Sequence, residues 1–172
     1  VTCEGWEADD ILGTLSAACE KEGHQCLIAT GDRDSLQLVS GSTSVRLATT
    51  KFGQPQVTLY DEGKIMEEYG VTPRQMIDLK AIQGDASDCI PGVAGIGPKG
   101  AGELSQKHGS AQDLDDHLEE RDIKPAMRKK LEASRDNAFL SYDLGTIRRD
   151  APIDTTLAHY QKGAGDPQKA AA

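Results

Sequence analysis

Ile11, Leu12, Leu15, Ala18 and Cys19 recur at the three- and four-residue spacing that lines one face of a helix, and Gly23 ends the run. The period then changes. His24 to Thr30 is a short apolar run and predicts a buried strand, closed by Gly31-Asp32-Arg33-Asp34, after which Ser35-Leu36-Gln37-Leu38-Val39 opens a second helical stretch. Val45 to Thr49 and Gln56 to Tyr60, either side of Lys51-Phe52-Gly53-Gln54-Pro55, predict a two-stranded hairpin at a sheet edge. Asp61 is placed to cap a helix through Glu68 or Tyr69 that Gly70 stops. Thr72-Pro73 starts another, carrying Met76, Ile77, Leu79, Lys80 and Ile82. Past a glycine-rich turn, helices are predicted over Pro98 to His108, Ala111 to Leu118 and Pro125 to Leu140, and a loosely packed tail from Asp150.

This order divides the chain into an α/β part over 1–70, an all-helical part over 71–150 and a tail over 151–172. One strand and an edge hairpin are few for a doubly wound sheet, and no strand precedes the acidic start of the first helix. The expectation is therefore an amino-terminal truncation, with the remaining strands upstream of Val1.

Composition narrows the class. Hydrophobic residues make up 37% of the chain and aromatic ones only 4%, and no apolar run approaches membrane-spanning length, so a soluble protein with no membrane partner is expected. Cys3, Cys19, Cys26 and Cys89 form no Cys-x-x-Cys pair, which predicts reduced thiols and a cytoplasmic location. His24, His108, His117 and His159 lack zinc-ligand spacing. The net charge of -9 speaks against a nucleic-acid partner until its distribution is read. Residues 1–97 hold 15 acidic and 7 basic side chains, whereas residues 98–149 hold 10 of each and leave Lys99, Lys107, Arg128, Lys129, Lys130, Arg148 and Arg149 for a basic face.

The acids fall in three groups, each at the junction of predicted elements. Glu7, Asp9 and Asp10 open the first helix, where carboxylates also serve as plain complements to the helix dipole. Asp32 and Asp34 follow the first strand, where an open sheet gathers functional groups, although Asp-x-Asp is common in turns. They lack the glycine and distal glutamate of an EF-hand. Asp85 and Asp88 sit in Gly84-Asp85-Ala86-Ser87-Asp88, before Pro91, and are also good turn formers. Brought into one crevice, seven carboxylates would repel one another, and hard divalent cations with oxygen ligands are the natural answer. Beside them, Gly92-Val93-Ala94-Gly95-Ile96-Gly97 runs into a helix opened by Pro98-Lys99, a glycine turn and helix start suited to a phosphate. The dinucleotide fingerprint is formally present over Gly95 to Gly100 but lacks the preceding strand. The nucleotide-hydrolase loop fails because Pro98 stands where lysine is required.

Taken in order, Glu7-Ala8-Asp9-Asp10, Thr30-Gly31-Asp32-Arg33-Asp34, Tyr69-Gly70-Val71-Thr72-Pro73, Gly84-Asp85-Ala86-Ser87-Asp88, Ile90-Pro91-Gly92-Val93 and Gly95-Ile96-Gly97-Pro98-Lys99 resemble the flap-endonuclease-type 5'-3' nuclease domain of bacterial DNA polymerase I. The match covers residues 5 to about 150. The resemblance implies a PIN-like (Rossmann-like) α/β domain with a parallel sheet, followed by a helix-three-turn-helix (helix-hairpin-helix type) region that grips duplex DNA. It also implies a two-metal hydrolase using Mg2+ or Mn2+ on 5' flaps, nicked duplexes and RNA primers, monomeric, in the bacterial nucleoid, with a polymerase in the same full-length chain.

By that similarity Glu7, Asp9, Asp10, Asp32 and Asp34 would be metal ligands, and Asp85 and Asp88 would complete a second site, with Asp10, Asp32, Asp34 and Asp85 central to catalysis. Gly92, Gly95, Ile96 and Gly97, with Lys99 and Lys107, would hold the DNA, and the turn's carbonyls a potassium ion. Cys89 stands where the family has asparagine, and Gly100 where it has threonine. The family's first-strand aspartate and basic arch have no counterpart after Val1, so the chain alone is expected to bind metal less tightly and to cleave weakly or not at all. The rival expectations are a non-catalytic duplex-binding module and a stand-alone 5' nuclease.

Overall fold

A computed structural model describes residues 1–85, 90–108 and 125–161, with the backbone alone at Pro98, Lys99, Lys107, His108 and Met127. The helix expected over 111–118 lies outside the described residues. Helix α1 (Ala8–Lys21) starts where the Glu7 amide donates to Asp10 Oδ2 at 3.3 Å. It ends at Gly23, whose φ of 74° is the left-handed conformation glycine adopts without a Cβ clash. Strand β1 (Cys26–Thr30) leads into a 3-10 helix (Arg33–Leu38), then β2 (Thr43–Lys51) and β3 (Gln54–Tyr60).

The sheet is mixed. β1 and β2 are parallel, Cys26 opposite Thr43, and β2 and β3 form an antiparallel hairpin with Val45 opposite Tyr60. The order β1-β2-β3 includes the expected hairpin and makes the sheet mixed rather than parallel, and of β1, read from its sequence as a buried strand, only Ile28 is buried. Ile28, Val45, Leu47 and Tyr60 face inward onto Leu36, Leu38 and Ile65. On the opposite face Leu27, Val57 and Leu59 stay 59%, 55% and 58% exposed, as the two-residue alternation of a pleated strand requires once helices cover one side.

Helix α2 (Glu62–Tyr69) is capped by Asp61, whose Oδ1 accepts from the Lys64 amide at 2.7 Å. Helix α3 (Gln75–Gln83) starts from a reciprocal pair, the Thr72 amide donating to Gln75 Oε1 and the Gln75 amide to Thr72 Oγ1. It packs on the 3-10 helix, on α4 (Pro98–His108) and on α6 (Arg135–Gly145). A second core lies there, built from Ile82, Val93, Ile96, Ala101, Leu104 and Leu131. The single helix expected from Pro125 to Leu140 is two, α5 (Pro125–Ala133) and α6, broken at Ser134. The start of the stretch expected to be a loose tail is packed, and residues 162–172 of it lie outside the described residues. Ala151 is buried, its amide donates to Thr14 Oγ1 at 2.9 Å, and a short 3-10 turn follows at Leu157–Tyr160.

Candidate metal centre and phosphate-binding turn

The acids converge on Asp34. Burial raises the Asp9 carboxyl to about 6, and the nearby charges of Asp32, Asp34, Glu7 and Asp10 push it the same way. The start of α1 and the turn after β1 therefore form one anionic cluster. A cleft of about 300 Å³ is lined by Glu7, Asp9, Asp10 and Asp34 on one side and Gly145 to Arg148 on the other. An adjoining cleft of about 190 Å³ carries Asp34, Lys80 and Asp85. Asp34 lines both.

Each acid is placed by an identifiable local structure. Asp32 caps the 3-10 helix, its Oδ1 accepting from the Asp34 amide at 2.9 Å, while its own amide donates to Thr30 Oγ1 at 3.0 Å. Asp10 accepts from the Glu7 amide and, through Oδ1, from the Arg148 amide at 2.9 Å. Asp85 stands at the base of a closed loop, where Asp85 and Ile90 exchange backbone bonds of 2.9 and 2.8 Å. The Lys80 ammonium bonds Asp34 Oδ2 and lies 3.7 Å from Asp85 Oδ2. Asp88 lies outside the described residues.

By donor chemistry this set fits a hard divalent ion, being all carboxylate oxygen and mutually repelling. Among the described residues, however, no three potential ligands are close enough to hold one as they stand. The reason is visible in their partners: Asp10 and Asp32 are turned to backbone amides, and an ammonium stands between Asp34 and Asp85.

The glycine turn is built more for packing than its composition suggests. A Cβ on Gly92, at φ 60°, would lie 2.4 Å from the Gly84 amide nitrogen, so these two glycines let backbone touch backbone. Ile96 is 5% exposed within the second core and its amide donates to Val93 O at 3.1 Å, so this expected DNA contact supports the turn from inside. Among the described residues nothing would lie within 4 Å of a Cβ on Gly97, and Gly95 adopts φ 76°. Gly95 O already accepts from the Lys130 ammonium at 2.7 Å, which gives a cation to one of the carbonyls expected to hold potassium. Ser141 Oγ accepts the Gly92 amide at 3.0 Å, tying the turn to α6. Lys99 and Lys107 belong to the first and last turns of α4, of which the backbone is described.

Sequence patterns gave no special place to Gln37, Lys80 or Ser141. Buried Gln37 donates to Gly145 O and accepts from the Ile147 amide, both at 2.9 Å, and so hangs the far wall of the acidic cleft from the 3-10 helix. A polar residue in an otherwise apolar helical stretch was the available signal. Another cleft, of about 560 Å³ between Gln37, Arg74, Tyr142 and Arg149, shares Thr146 and Ile147 with the acidic cleft but has Glu62 as its one lining carboxylate.

Two family models match the chain. The family described as "5'-3' exonuclease, N-terminal resolvase-like domain" matches residues 1–70, and "5'-3' exonuclease, C-terminal SAM fold" matches residues 71–168. The chain is 43% identical to DNA polymerase I of Caldicellulosiruptor bescii over 90% of its own length and 18% of that protein's. With Bacillus subtilis DNA polymerase I the identity is 41%, over 90% and 17%. The chain thus spans less than a fifth of these relatives. Among solved structures, T5 5'-exonuclease with bound divalent metal ions (zinc) superposes with a TM-score of 0.72 at 28% identity, covering 84% of this chain and 51% of that one. The catalytic core of Rad2 in complex with DNA shares the fold at 22% identity and a TM-score of 0.53, over 84% and 50%.

Proposed function

The chain belongs to the 5'-3' exonuclease family, and from that premise we propose that it is the nuclease part of a DNA polymerase I-type protein, hydrolysing phosphodiesters at 5' flaps, nicks and RNA primers. The observation that carries the reading is the convergence of acids from three separate stretches on Asp34, with Asp9 coupled to four of them and Asp85 linked through Lys80. In this reading Glu7, Asp9, Asp10, Asp32, Asp34, Asp85 and Asp88 hold two Mg2+ or Mn2+ ions. When bound, such ions stabilise charge on the attacked phosphate and make water a competent nucleophile at neutral pH.

The chain's own residues do the placing. The 3-10 cap fixes Asp32 and Asp34 at the end of β1, the helix start presents Glu7, Asp9 and Asp10, and the Asp85–Ile90 bridge holds Asp85 opposite them. The open side of the turn at Gly95 and Gly97, with Lys99 and Lys107 on α4, would seat the phosphate backbone of the duplex as a monomer, and any potassium ion would use carbonyls other than Gly95 O. The T5 and polymerase relatives support the choice of substrate by their likeness, as does a zinc-loaded T5 structure for the class of metal.

The test is a Mn2+ titration and a labelled 5'-flap duplex with wild type and Asp34→Ala. Expected is Mn2+ binding by the wild type, any flap cutting lost in the variant by at least a hundredfold, and duplex affinity retained. No Mn2+ binding at millimolar metal overturns the reading. A second reading, a duplex-binding module without catalysis, is favoured by the engagement of Asp10 and Asp32 with backbone amides. It requires duplex binding with neither Mn2+ binding nor cutting.

A further inference from the structure

Lys80 sits in the last turn of α3, and its side chain is 13% exposed. Its ammonium is held between acids from two distant stretches, bonding Asp34 and standing 3.7 Å from Asp85 Oδ2. The stem passes Gly145 at the end of α6, where even a Cβ on that glycine would sit in ordinary contact, 3.6 Å from Lys80 Cδ. A long flexible side chain ordered this way, with its charge at the junction of the two clefts, is a placed cation rather than a surface lysine.

We propose that Lys80 is a resident counter-ion of the acidic cleft. Its ammonium neutralises Asp34 and Asp85 while the cleft lacks a divalent ion, and withdraws when one binds, so that metal affinity is set by competition with the protein's own charge. This rests on the metal reading given above. The cleft gathers carboxylates that repel one another during folding, and without a metal some cation must offset them. Lys80 bonds Asp34 Oδ2, and a divalent ion held by that carboxylate would compete with the ammonium for the same oxygen, since two cations repel strongly within a few ångströms. The lysine head can leave by rotation about its stem bonds, with no change in the backbone of α3.

The experiment is a Mn2+ titration of the full chain followed by the electron paramagnetic resonance of free Mn2+, with thermal melts in EDTA and in saturating Mn2+. Wild type is compared with Lys80→Gln and with Lys80→Arg. Lys80→Gln should bind Mn2+ roughly tenfold more tightly, melt below wild type in EDTA, and lose that deficit in Mn2+. Lys80→Arg, which keeps the charge, should show neither change. Equal or weaker Mn2+ binding by folded Lys80→Gln overturns the counter-ion role alone. Wild type that binds no Mn2+ overturns the metal reading and this inference with it. If Lys80→Gln does not fold, the wild type decides through its Lys80 side-chain nitrogen resonance. Saturating Mg2+ should move it to the position of a solvated lysine, and an unchanged resonance overturns the proposal.

Discussion

Asp9 shows how a site built for charge weakens the fold that carries it. The unfolded chain gives up the Asp9 proton near the ordinary value of 3.8, whereas the folded chain keeps it to about 6, chiefly because of burial and then because of Asp32 and Asp34. Between those values the folded state binds more protons, so raising the pH through that window costs stability. Asp9→Asn should therefore melt above wild type at pH 7 in EDTA, with the difference shrinking as pH falls from 6 towards 4, while metal binding is lost. Parallel melting curves across that range would overturn the assignment. The acids themselves were legible in the sequence because each group sits at an element junction. Lys80 and Gln37 were not, because their partners Asp34 and Gly145 are brought to them only by tertiary packing.

At the level of elements, the sequence located α1, the hairpin, α2, α3 and α4 within a few residues, and α1, α2 and α3 carry their own caps or stops: Gly23, Asp61, Gly70 and the Thr72–Gln75 pair. It missed what neighbours decide. The break at Ser134 coincides with Ser134 Oγ accepting the Ala94 amide, a contact with a turn forty residues away. The burial of β1 was misread because a five-residue apolar run does not say whether one face or two are covered. Helix α1 supplies a test in which the local rule fails. Alanine in place of a mid-helix glycine is ordinarily worth up to about 1 kcal/mol. A Cβ on Gly13 would lie 2.7 Å from Arg148 O and 2.8 Å from Ile147 Cγ2, so Gly13→Ala should instead destabilise by about 1–3 kcal/mol in urea titration. A Cβ on Gly102 in α4 would meet nothing within 4 Å among the described residues, and Gly102→Ala should stabilise. Gains at both positions would show that residues 147–149 do not press on α1.

Across the whole molecule, the two cores are joined by more than α3. Asp10 bonds Arg148, Thr14 bonds Ala151, Gln37 bonds Gly145 and Ile147, and the Arg148 guanidinium lies 4.1 Å from the centre of the Trp6 ring. The sheet and the helical region should therefore unfold together. Trp6 is the one tryptophan in the chain, and its fluorescence melt should coincide with the loss of helix seen by circular dichroism. Two separated transitions would show the halves to be independent. Because residues 145–151 are laced onto α1, Trp6 and the 3-10 helix, the boundary at residue 70 that divides the family into two parts is no seam in this molecule. A cut made there would yield two pieces, each missing a wall of the same cleft. Neither piece would be a small nuclease, and the acids would form one site again only when the two were reunited.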